Sequence, residues 1–97
     1  MEIENDRQEA IGALQFFDRQ KAINTLLKLL NKYYLPNQFF MNALRAGNIS
    51  DWQLCNELNN IVQSIYFVAI MQYCAEEAIK SMAKQALETS RKNGWNF

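Results

Sequence analysis

Glu76 and Glu77 are the only adjacent carboxylates in this 97-residue chain. Two carboxyl groups that face one another can divide the work of acid and base. Neighbours in sequence on a helix point in different directions, so this pair is not a catalytic dyad. There is no histidine. That removes the commonest general base, the Ser-His and Cys-His nucleophile pairs, and the most versatile metal ligand. The other carboxylates are few and unclustered, which gives no hard-cation site, and no glycine-rich phosphate loop is present. The expectation is a protein that is not an enzyme, with no catalytic residues, no cofactor and no metal.

Two further groups of side chains have binding potential. Lys21, Lys28 and Lys32 fall on one side of an amphipathic segment, a small basic stripe that would contact phosphates or an acidic partner. Formal net charge is zero, which argues against a dedicated nucleic-acid binder, because that affinity rests on clustered Lys and Arg. The second group is aromatic. The tail Gly94-Trp95-Asn96-Phe97 places two large rings where chain ends are normally polar. They are expected to bury on the body of the protein or its dimer mate, or to anchor a partner, since Trp is enriched at binding hot spots. Aromatics between helices also offer a pocket for a small molecule.

The elements that position these residues are helical. Ser50-Asp51-Trp52-Gln53 matches a capping box, with Ile49 and Leu54 as its hydrophobic staple and Asp51 at the positive end of the helix dipole. Apolar residues then recur at helical spacing through Leu54, Leu58, Ile61, Ile65 and Ala69, and on through Ile79, Ala83 and Leu87. No Gly or Pro intervenes before Gly94. The spacing predicts one helix over residues 51–93, roughly 60 Å long at ~1.5 Å per residue. A compact globule of this chain length has a diameter of roughly 30–35 Å. The middle of that helix, Ile65-Tyr66-Phe67-Val68-Ala69-Ile70-Met71, is apolar on every side, which calls for burial all round. The expectation is a homodimer through this helix, with Tyr66, Phe67, Ile70 and Met71 at the contact. The alternative is a break near Gln72 that leaves two helices in a compact monomer. Asn56, Asn59, Asn60 and Gln63 lie on one side of the same helix, a patch that is solvated or rims an interface.

Before it, Asp6 reads as an N-cap for a helix over 6–17 with Ala10, Ile11, Leu14 and Phe17 facing inward. Asp18 reads as the cap of a second helix over 19–34. Leu35-Pro36-Asn37 ends it, because proline disfavours helix at the residue before it. Asn37 caps a short helix over 38–46, and Gly47 follows its end. On the surface of the long helix, Glu76 with Lys80, Lys84 with Glu88 and Glu88 with Lys92 have the spacing of ion pairs.

Ninety-seven residues with 49 % hydrophobic content make one domain with a thin core. Cys55 and Cys74, on one helix, would stand roughly 28 Å apart, beyond the ~7 Å a disulfide spans. Two free thiols fit a reducing compartment. The acidic N-terminus is unlike a secretory signal, and no apolar run approaches the ~20 residues of a membrane span. A cytoplasmic protein with no membrane partner is expected. The reading is an all-α fold: a small bundle of about four helices in one domain over 1–97, with one long C-terminal helix, dimeric. Its expected function is that of a non-enzymatic protein–protein interaction module, such as a small helical inhibitor, immunity-type or adaptor protein, of the kind found in bacteria and phages. Its partners would be a second copy and an unidentified protein. The alternatives are a dimeric nucleic-acid-associated regulator using the lysine stripe, and a small-molecule binder with an aromatic interhelical pocket.

Overall fold

Ser50 opens the central helix as its sequence requires: its hydroxyl accepts from the Gln53 backbone N–H at 3.1 Å. In the computed structural model, which describes residues 2–34 and 37–97, five helices follow one another. They are α1 (Glu2–Gln15), α2 (Arg19–Tyr33), α3 (Gln38–Arg45), α4 (Asp51–Tyr73) and α5 (Glu77–Lys92). α4 is the axle. α1, α2 and α5 each pack against it, and α3 packs on α2. Leu54, Leu58, Ile61 and Ile65 of α4 meet Ala10 and Ala13 of α1 and Leu26, Leu29 and Leu30 of α2 in one core.

The single helix expected over 51–93 is corrected to two. Cys74 and Glu76 take extended conformations (φ −87°, ψ 131° and φ −77°, ψ 113°), and α5 folds back along α4. The molecule measures 43 × 27 × 22 Å, so a rod of roughly 60 Å has no place in it. Folding back buries Ala83 and Leu87 of α5 and sets half-buried Phe67, Val68 and Met71 beside α5. The count of about four helices becomes five for the same reason. The alternative break near Gln72 lies next to the observed end of α4 at Tyr73. The one-helix reading arises because Ile65 and Ala83 are a whole number of turns apart at ~3.6 residues per turn, so both halves share one apparent stripe.

The first helix also differs. α1 begins at Glu2, and Asp6 sits within it, not at its cap. Its inward residues are Ala10 and Ala13, with Ile3 and Leu14 partly buried against the core. Phe17 lies past the helix end and is exposed. Small residues on the inner face of α1 suit a helix that approaches α4 closely.

Asp18 caps α2 by accepting from the Lys21 N–H, and Asn37 caps α3 by accepting from the Phe40 N–H, both as expected. The turn assigned to Leu35 and Pro36 lies outside the described residues. Gly47, at φ +76°, follows α3. The expected pairs Glu76–Lys80, Lys84–Glu88 and Glu88–Lys92 do not form among the described residues. Besides Arg7–Glu4 within α1, at 3.0 Å, ion pairs cross between helices. Lys28 reaches Glu9 at 2.9 Å, Lys32 reaches Asp6 at 2.6 Å, and Arg19 reaches Asp51 at 2.7 Å. Arg19 also donates to the carbonyls of Gly47 and Ile49 at 2.7 Å each, fastening the start of α2 to the α3–α4 junction.

Candidate interaction surface

The outer face of α4 follows from its length. A helix of 23 residues with one face in the core keeps the opposite face for solvent or a partner. On that face stand Trp52, Asn59, Tyr66 and Tyr73, with Asn56, Gln63 and Ile70 between them, at alternating steps of four and three residues. This is the a/d spacing by which two helices pack side by side. Trp52 is 76 % exposed, Tyr66 52 % and Tyr73 74 %. The amides of Asn56, Asn59 and Gln63 are exposed and Ile70 is half-buried. No charged residue occurs between Glu57 and Glu76, so α4 itself brings no charge to the seam from its third turn onward. The Arg7 guanidinium of α1 lies over the Tyr66 ring, 5.8 Å from its centroid.

Of the residues expected at a partner contact, Tyr66 and Ile70 therefore share the outer face. Phe67 lies beside them, its ring 6.0 Å from that of Tyr66. Met71 turns the other way, lining a cavity of about 390 Å³ with Val68, Leu87 and Phe97. Trp95 is 6 % exposed and belongs to the chain's own core. Its ring meets Tyr34 edge-on at 4.7 Å and stacks on Phe97 at 5.6 Å, and Phe97 stacks on Tyr33 at 5.1 Å. Gly94, at φ +101°, makes this tail turn possible. A Cβ there would come within 2.8 Å of the Tyr34 ring.

The lysine stripe is largely engaged. Lys28 and Lys32 bridge to α1, and Lys21 is exposed. Asp6, the partner of Lys32, is buried and also accepts from the Tyr33 hydroxyl. Burial works to raise its pKa, but the hydrogen bonds from Lys32 and Tyr33 and the positive charges of Lys32 and Lys28 outweigh burial and hold it below the usual aspartate value. Tyr33 is pushed up to about 12, first by burial and then by its bond to the Asp6 carboxylate. Sequence reasoning missed this knot. The only available signal was an acidic residue at one end of α1 and a Lys-Tyr pair at the far end of α2.

Cys55 and Cys74 stand near opposite ends of α4 as free thiols. Among the described residues no group of three or more Cys, Asp or Glu is placed to hold a metal ion, and no helix is long and apolar enough to cross a membrane. Compared with models of protein families, with curated proteins and with solved structures, the chain matches none.

Proposed function

We propose that this chain is a non-enzymatic binding module that self-associates, two copies laying the outer faces of their α4 helices together as a two-fold dimer. The observation that supports this most is the a/d spacing of Trp52, Asn59, Tyr66 and Tyr73 with Asn56, Gln63 and Ile70 on the outer face of α4, where none of the seven is charged. A two-fold contact uses the same patch from both copies, so the patch must be complementary to itself. A helix face with no charged residue of its own between Glu57 and Glu76 suits that condition, because it brings no like charges of α4 face to face. Tyr and Trp suit it further, since their rings supply large contact area and keep a polar edge for water when alone.

Trp52 reports directly on the contact. In a Trp95→Phe background it is the sole indole. Its emission is expected to shift to the blue and to resist iodide quenching as protein concentration rises through the micromolar range. Emission and quenching independent of concentration would overturn the proposal.

A further inference from the structure

On the other flank of α4, where α5 folds back beside it, lies a cavity of about 380 Å³, within the ~300–1,000 Å³ range of small-molecule sites. Its floor is the hydrogen bond between the hydroxyls of Ser64 and Ser90, 3.0 Å apart. Its end wall is Tyr34 and Trp95, a rigid pair. The Tyr34 hydroxyl donates to the Asn93 carbonyl at 2.9 Å, and the two rings meet edge-on. Glu57 stands on the lining and is half-buried. Among the described residues it makes no hydrogen bond and no ion pair, and none of the lining side chains is cationic. Burial alone acts on its carboxyl, raising the pKa.

An unpaired carboxylate beside aromatic rings in a concave site selects a class of ligand. An anion is repelled by Glu57. A metal ion finds one carboxylate and no cluster to complete its shell. A neutral ligand leaves the charge of Glu57 without a counter-charge. We propose that this cavity binds a small organic cation, an amine or a guanidinium, with Glu57 as its counter-charge and Trp95 and Tyr34 as its aromatic wall. Both contacts reward the same ligand, because a cation is attracted to the ring quadrupole as well as to the carboxylate. Asn60 and the Ser64–Ser90 pair offer hydrogen bonds to its polar substituents. The cavity shares Gln63 with the outer seam of α4, but Glu57, Tyr34 and Trp95, which carry this proposal, lie off that seam, so neither proposal depends on the other.

The test uses the full chain with Trp52→Phe, in which Trp95 is the sole indole, titrated with n-butylamine and with agmatine, and with n-butanol as the neutral match. At least one of the two cations is expected to change Trp95 emission saturably below ~10 mM, the range of weak specific binding, while n-butanol does not. Glu57→Gln keeps the shape of the side chain and removes a charge that burial disfavours, so its melting temperature should hold or rise. In that variant cation affinity should fall at least tenfold. The proposal is overturned if neither cation gives a saturable change, if n-butanol binds as well, or if Glu57→Gln binds with unaltered affinity.

Discussion

The two long faces of α4 are both uncharged over most of their length, yet they are made of different materials. Inward, Leu54, Leu58, Ile61 and Ile65 are each 0 % exposed. Outward, three aromatic rings, three amides and a single aliphatic, Ile70, recur at the same helical spacing. Branched aliphatics exclude water by shape and have no stable alternative to burial. Rings with polar edges and carboxamides remain hydrated when alone and still offer flat, complementary surface to another helix. The contrast teaches that a charge-free face need not belong to a core. The inner face holds the fold together, and the outer one is a proposed contact that leaves the fold unaffected when empty.

Substituting one residue on each face separates their roles. Leu58→Ala, which opens a cavity in the middle of the core, should cost about 2–5 kcal/mol, read as a lower denaturant midpoint. Asn59→Lys, its neighbour on the outer face, should alter stability by less than about 0.5 kcal/mol. Equal losses would mean that the outer face is structural.

Next in size is the knot that fixes α1 to α2 and so frames the inner face. Asp6→Asn weakens the links to Lys32 and Tyr33 and should cost about 1–3 kcal/mol. The knot also sets the pH limits of stability. Asp6 has a folded pKa below its ordinary value, so its contribution is present at neutral pH and lost as pH falls through that lowered range. Tyr33 has a raised value, so its contribution is full below about 10 and is lost as pH rises from 10 to about 12. Both losses should flatten in Asp6→Asn when melting is followed against pH. A smaller effect than that of the knot is expected at the start of α4, which serves both faces alike. Ser50→Ala removes the cap and should cost about 1 kcal/mol, with the oligomeric state unchanged.

Local signals in the sequence located three of the helix starts. Asp18, Asn37 and Ser50 each carry an oxygen that the structure uses to cap, and such caps are decided within a few residues. What sequence could not supply was decided over distance. The turn at Cys74–Glu76 has no Gly or Pro and no side-chain cap. It exists because α5 buries Ala83 and Leu87 by folding back, a tertiary gain that leaves the local periodicity intact. The Asp6–Lys32–Tyr33 knot and the Arg19 clamp join residues far apart in sequence, where spacing carries no information. The candidate surface was legible in part. Tyr66 and Ile70 were picked out by an apolar run, but the full seam back to Trp52 emerged only once the core had claimed the other side of the helix. Trp95 and Phe97 were read as rings in need of burial, and the chain's own tyrosines cover them.

The most direct test of the proposed pairing through α4 is molar mass in solution by light scattering, across micromolar concentrations, for the native chain and for Asn59→Lys. Against a chain mass of 11.3 kDa, the account predicts a native species that rises to twice that mass with concentration. Asn59→Lys, which sets like charges against each other in the middle of the seam, should require at least tenfold more protein to do so. A native chain that stays at 11.3 kDa throughout, or an Asn59→Lys variant that pairs as readily as the native protein, would contradict it.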